Sequence, residues 1–354
     1  MSFIWRQSSV DELKDEWNNL VLRSSFPNFF STWEWIRAWR SVFGNGKDER
    51  IWALYRSGGL IGIAPLQLAG KSLSFIGTGF SDRLDFIIQK GQEENFFENF
   101  RNLLLEDNSW DVLDLQEVDS KSPTVLFWEK YFSTLDFRIL PQSKLPYLTL
   151  PSTWDELLKR FSKKRRDKIR YYPRLLDKSY SWRIEEVSDP QLQEGLAQFF
   201  RLHLSRFKRK LMPTPALLPS FRNFHLNLAR ELAGKGIIRL YLLYLNDKPS
   251  ASLYGFEFQD RFCFYLSGQD ERFHEYSLGY ILQIHAIKKS TERGLKFFDF
   301  LRGLESYKLH WKPEINENVR ILAHKGTLKS KISFNVRTME HALTHYVKKR
   351  AGRI

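Results

Sequence analysis

The sequence predicts an α/β protein made of two similar units, each a mixed, mostly antiparallel sheet flanked by helices. Three observations carry this. Apolar runs rich in β-branched and aromatic residues alternate with Gly-, Asn- and Asp-marked turns in two separate stretches, 50–89 and 236–268. Each stretch leads into an apolar-periodic helix and one further strand, first 94–105 with 112–117 and later 277–293 with 297–301. The 354 residues, 42% hydrophobic and 15% aromatic, can bury two ordinary cores. The repeat lies in the order and pattern of elements, since identity between the halves is slight.

In the first unit a helix over 10–23 precedes the run Phe30-Ser31-Thr32-Trp33-Glu34-Trp35-Ile36-Arg37-Ala38-Trp39, where Ser31 is placed to cap a second helix. Trp35 and Trp39 fall four apart on one face and read as core. Strands are expected at 50–56, 60–68, 73–77 and 85–89, separated by Ser57-Gly58-Gly59 and Ala69-Gly70. The composition then shifts around Pro141 and Pro146, which divides the chain into domains 1–140 and 141–328 and a basic tail, 329–354.

The second domain opens with a strand at 147–150 and a helical section. There Trp154, Leu157, Leu158 and Phe161 have helical spacing, while Lys163, Lys164, Arg165, Arg166, Lys168 and Arg170 crowd the following turns. Pro173 should kink or end this helix. A solvated basic face is its plainer reading, with nucleic acid or a phosphorylated acceptor as the functional one. Helices at 191–208 and 215–233 are expected to cover a sheet built from 236–245, 250–258 and 261–268. In the tail, Met339, Leu343 and Tyr346 lie near one face of a basic helix, which suits either an anionic membrane surface or packing on the protein itself.

A net charge of +14 favours anionic partners: nucleic acid, a membrane face, phosphorylated substrates or an acidic cofactor. Cys263 lies in an apolar run, has no second cysteine to pair with, and reads as a buried strand residue. The N-terminus lacks the apolar core of a signal peptide, and no apolar run approaches the ~20 residues that span a bilayer. The expected location is cytoplasmic, peripheral to the inner face of the membrane through the tail. Scattered histidines, no zinc-site spacing and no Walker loop argue against metal or ATP chemistry.

The most informative stretch runs from Ser277 to Trp311. Ser277-Leu278-Gly279-Tyr280 opens a helix after a strand, so its backbone N–H groups and positive dipole end suit a phosphate or pyrophosphate. Asp299-Phe300-Leu301-Arg302-Gly303, then Glu305, Tyr307, Lys308 and Trp311, would lie beside that helix start if the two flanking strands are parallel. Asp299 and Glu257 are candidate bases, because a carboxylate in a central strand needs a partner or a raised pKa. Pairing of Asp299 or Glu305 with Arg302 or Lys308 fits the same residues, and Lys308 is also placed to hold a substrate phosphate or carboxylate. Asp82 and Asp85, near Gly77-Thr78-Gly79, are candidates to receive a cationic amine; a turn aspartate is the plainer reading of Asp82. His274 and His285 read as loop and helix-face residues.

Taken in order, these marks resemble the CelD-like or FemAB-like branch of the GNAT acyltransferase superfamily, whose members have two tandem GNAT-like domains. The matching residues are Phe30-Ser31 with Trp33, Trp35 and Trp39, the strand from Leu60 to Leu66, Gly77-Thr78-Gly79 through Asp85, the basic helix, Ser277-Leu278-Gly279, and Asp299 to Gly303 with Glu305, Tyr307, Lys308 and Trp311. The resemblance implies an acyl-CoA donor, acetyl-CoA first. Its pantetheine arm would run along the backbone of Tyr265, Leu266, Ser267 and Gly268, and its pyrophosphate would rest on Ser277, Leu278, Gly279 and Tyr280. It implies Tyr307 as general acid and an amine acceptor on a sugar, amino acid or cell-envelope or polysaccharide precursor. The segment 269–276 is longer than the usual Gln/Arg-x-x-Gly-x-Gly/Ala signature, and FemAB-type relatives use aminoacyl-tRNA. That donor, and a non-catalytic binding module in polysaccharide biosynthesis, stay open as alternatives.

Overall fold

The computed structural model describes residues 3–210 and 215–350. The chain divides into two compact units, the first comprising Met1–Leu145, Arg302–Glu305 and Ile315–Ile354 and the second Pro146–Leu301 and Ser306–Glu314. The expected strand–helix–strand order is present in both.

From the N-terminus the elements are β1 (Phe3–Ser8), α1 (Lys14–Arg23), α2 (Trp33–Phe43), β2 (Asp48–Arg56), β3 (Gly59–Ala69), β4 (Ser72–Phe75), β5 (Ile87–Ile88), α3 (Glu93–Glu106), β6 (Val112–Asp119), α4 (Pro123–Tyr131) and β7 (Asp136–Thr149). Trp35 and Trp39 are buried on the inner face of α2. Thr32, not Ser31, occupies the N-cap position; Ser31 sits in a short 3₁₀ turn and accepts from Asn28. The strand expected at 85–89 shrinks to two residues, and just before it the Asp85 carboxylate accepts from the Phe86 N–H. Gly62 is where α3 comes closest to the sheet: a Cβ there would lie 2.3 Å from the Phe96 ring. Phe86, Phe96, Phe97 and Phe100 stack into the core around that contact, each buried ring contributing roughly 2 kcal/mol.

Next come α5 (Trp154–Lys159), α6 (Lys163–Asp177), β8 (Trp182–Glu186), α7 (Leu192–Lys210), α8 (Pro219–Glu231), β9 (Ile238–Leu245), β10 (Lys248–Phe258), β11 (Arg261–Gln269), α9 (Leu278–Glu292), β12 (Phe297–Asp299) and α10 (Ser306–Leu309). The helical section is two helices, and Pro173 stays inside α6, which runs on to Asp177 with Ile169 and Leu176 buried on either side of it. Cys263 is buried in β11, as expected. The chain ends with β13 (Glu314–His324) and α11 (Leu328–Arg350).

These last two elements change the domain division read from the sequence. β13 pairs with β6 from Asn318↔Asp119 to His324↔Val112, so the end of the expected second domain belongs to the first unit. α11 joins it through Arg337, whose guanidinium meets Asp114 of β6 at 2.8 Å. Residues 351–354 of the expected tail lie outside the described residues.

Within the first unit the strand order is β1-β2-β3-β4-β6-β13, antiparallel except for β4 with β6. Within the second it is β7-β12-β11-β10-β9-β8, antiparallel except for β11 with β12.

Candidate active site

The second unit holds a sheet that opens. β11 and β12 pair in parallel at Arg261↔Phe297, Phe262↔Phe298 and Cys263↔Asp299, and β12 ends there while β11 continues to Gln269. A β-bulge against β10 shifts the register at Tyr265, between Tyr254↔Leu266 and Gly255↔Phe264. Past Cys263 the edge of β11 is no longer laddered to β12, and a strand edge of this kind can offer backbone N–H and C=O groups to a ligand. The crossover between the two strands is α9, so its N-terminus follows the open end of β11.

Ser277, at the start of α9, is left-handed (φ 50°, ψ 47°) and makes no side-chain cap, and no acidic residue lies in the first turn. The Gly279 N–H is not free, however. It donates to Gln269 Oε1 at 3.3 Å, so the expected diphosphate cradle is capped by the protein's own amide side chain.

Positive charge gathers at this end of α9. Lys168 of α6 lies 5.8 Å from the Tyr280 ring and 6.0 Å from Tyr172. Burial pushes the Tyr280 hydroxyl up to about 12, while the nearby Arg165 guanidinium pulls the other way. Burial, then Lys168 and Arg165, hold His310 below its ordinary range. Trp311 stacks near Tyr280 (5.5 Å) and Phe161 (5.8 Å) and donates to Gln283 Oε1 at 3.0 Å. The basic run thus has aromatic neighbours: Tyr172 lies within α6, and the packing of α6 on α9 brings Tyr280 from a distant segment.

Tyr307, in the single turn of α10, places its ring 6.4 Å from Phe264, the first residue of β11 beyond the paired segment. Buried Lys308 brings its ammonium 5.9 Å from that ring. The structure therefore brings Tyr307, Lys308 and the open edge of β11 together.

Other sequence candidates are committed elsewhere. Asp299, fully buried, accepts from Leu301 N–H at 2.9 Å and pairs with Arg261 at 3.1 Å. The first bond holds Leu301 at φ 57°, a left-handed turn that is costly for leucine. Glu257 bridges Arg239 (2.6 Å) and Arg293 (2.7 Å). Neither carboxylate is placed as a free base. The Tyr265 side chain packs on His225 (5.4 Å) and Phe256 (5.6 Å), leaving only its backbone for a donor. Gly268 is a close-approach position, where a Cβ would come 2.3 Å from the His203 backbone of α7. His203, unremarked in the sequence, donates from Nδ1 to the Ser267 carbonyl at 2.8 Å.

In the first unit Asp82 and Arg302 bind one another. Arg302 Nε pairs with Asp82 and its Nη1 donates to Glu117 at 3.0 Å, while Asn318 donates to Glu117 and to the Asp82 carbonyl, both at 2.8 Å. Asp85 accepts from Ser122, Thr124 and Phe86 N–H, and burial pushes its carboxyl up to about 6 against those bonds. These satisfied, buried groups replace the expected amine-binding pair Asp82 and Asp85. Among the described residues no group of His, Cys, Asp or Glu is placed to hold a metal ion, and no helix is long and apolar enough to cross a membrane.

Residues 163–309 match a family described as an acetyltransferase (GNAT) domain. No curated protein sequence matches the chain. Among solved structures, FemX aligns with TM-score 0.65 at 13% identity over 91% of this chain and 97% of its own. L-PGS from Bacillus licheniformis gives 0.58 at 14% identity over 94% and 97%. A tandem GNAT protein from the clavulanic acid biosynthesis pathway gives 0.51 at 11% over 92% and 99%.

Proposed function

On the premise that this chain belongs to the GNAT superfamily, in the tandem form shared with FemX, we propose that it transfers an acyl group from a thioester donor to an amine. Acyl-CoA, acetyl-CoA first, is the donor this reading prefers. The acceptor is the amine of a sugar, amino acid or cell-envelope precursor, an assignment that draws on the shared FemX and lysylphosphatidylglycerol-synthetase folds. The observation that carries the proposal is the parting of β11 from β12 beside Tyr307.

The chemistry follows from these groups. The donor lies along β11 between Phe264 and Gly268, its carbonyl oxygen facing a backbone N–H of that segment. That N–H stabilises the oxyanion as the neutral amine attacks the carbonyl carbon. As the C–S bond breaks, the thiolate takes the Tyr307 hydroxyl proton, and Lys308 stabilises the phenolate left behind. With Glu257 and Asp299 held in ion pairs, the amine's own proton leaves to water. Asp299 acts as a positioning residue: through Leu301 it sets where the chain turns away from β11. The diphosphate would displace Gln269 from Gly279 and gain the α9 dipole and Lys168. A charge-assisted bond is roughly twice as strong as the neutral one it replaces.

Aminoacyl-tRNA is a second donor reading, favoured by α6, which carries Lys163, Lys164, Arg165, Arg166 and Lys168 and the exposed Tyr171. Titration calorimetry with acetyl-, longer acyl- and free CoA, beside aminoacyl-tRNA binding at two salt concentrations, separates the two. Saturable acyl-CoA binding supports the first; steeply salt-dependent tRNA binding without CoA binding supports the second. Neither kind of binding would leave a binding module.

A further inference from the structure

We propose that the outer face of α11 docks on an anionic lipid bilayer. The inner side of this helix is fixed to its own unit. Phe334 is buried against His324 (4.7 Å) under the Arg138 guanidinium (5.3 Å), Ser330 is fully buried, and Arg337 reaches Asp114. The outer side is apolar without being covered. Leu328, Ile332, Val336, Met339, Leu343 and Val347 follow the three-to-four spacing of one helix face, with Met339 72% and Leu343 66% exposed, and Tyr346 lies at its edge. Folded chains seldom leave so continuous an apolar stripe in water.

The charge on the helix selects the occupant. Lys329 and Lys331 stand against the single carboxylate Glu340 of this helix, in a chain whose net charge is +14. An apolar stripe bordered by lysines is what a helix lying in the headgroup plane of an anionic bilayer requires: the stripe enters the acyl boundary and the cations stay with the phosphates. The helix has 23 residues, so it spans roughly 35 Å along the surface. A second copy of the chain is the poorer occupant, because two such helices would bring their lysines together across the seam with almost no carboxylate to answer them. The inference is independent of the donor and of acyl transfer.

The test is co-sedimentation of the full chain with phosphatidylcholine vesicles, with and without phosphatidylglycerol. Binding should require phosphatidylglycerol and weaken severalfold on raising salt. The double substitution Met339→Glu, Leu343→Glu should reduce it at least tenfold with no change in melting temperature, since both side chains are already in water. The substitution Lys329→Glu, Lys331→Glu gives an independent reading and should reduce binding with the apolar stripe intact. The proposal is overturned by equal binding to neutral vesicles, by no binding to either kind, or by a dimer in sedimentation velocity that Met339→Glu, Leu343→Glu dissolves.

Discussion

Each unit has one short parallel pair inside its sheet, β4 with β6 and β11 with β12, and the two continue differently. In the first unit the chain leaves β4 at Phe75 and loops through Gly77 and Gly79, until the Leu84 N–H donates to the Glu117 carbonyl of β6 at 3.0 Å. The loop's Asp82 is then tied, with Glu117, to Arg302 and Asn318. The space beside β6 is closed by bonded, buried polar groups. In the second unit β11 runs past its partner with a bulge, and Tyr307 stands near the strand where pairing stops. One topology thus gives a brace where a charged loop fills the gap, and an open edge where the strand continues.

The largest effect should come from the open edge. Tyr307→Phe is expected to lower kcat roughly a hundredfold or more, the usual scale for losing a general acid, with donor affinity in calorimetry nearly unchanged. Equal losses in affinity and turnover would make Tyr307 a packing residue.

The brace should fail thermodynamically. Arg302→Ala leaves Asp82 and Glu117 buried with a cation missing, which costs about 2–3 kcal/mol, less than a fully buried pair because Arg302 is part exposed. Urea unfolding reads this directly, and a change below 0.5 kcal/mol would show that the network carries no weight.

Asp85 gives the brace a pH signature. Its carboxyl is raised in the folded state to about 6, whereas in the unfolded chain it titrates near ~3.9. The folded protein therefore binds more protons between those values. The contribution is fully present below about pH 4 and is lost as pH rises through 6, a change on the order of 2–3 kcal/mol. Asp85→Asn should flatten stability across that window in thermal melts; an unchanged slope would assign it to other groups.

The smallest effect concerns the start of α9. Gln269→Ala removes the side chain that caps Gly279 and should tighten acyl-CoA binding a few-fold, since the displaced bond is worth about 1 kcal/mol. Weaker binding would mean that Gln269 itself holds the donor.

Much of this frame was legible in the sequence, because strand runs, Gly-marked turns and helical periodicity are local signals. The strands from Ile238 to Gln269 and helix α9 fall within a few residues of expectation. Long-range pairing was not legible. Nothing near β13 announces that it joins β6, and nothing near Asp82 announces Arg302, 220 residues away. Ion pairing was legible only as an alternative: Glu257 and Asp299 needed partners, and only the fold brings Arg239, Arg293 and Arg261 to them. Part of the aromatic lining of α6, Tyr280 and Trp311, lies in a distant segment, whereas Tyr307 belongs to a motif continuous in sequence.

The central claim is that the open edge of β11 seats the acyl donor. A crystal structure with acetyl-CoA should place the thioester oxygen within hydrogen-bond reach of a backbone N–H between Phe264 and Gly268, with the sulfur facing the Tyr307 hydroxyl. A donor bound away from β11, or a β11 edge closed by side chains in the complex, would contradict it.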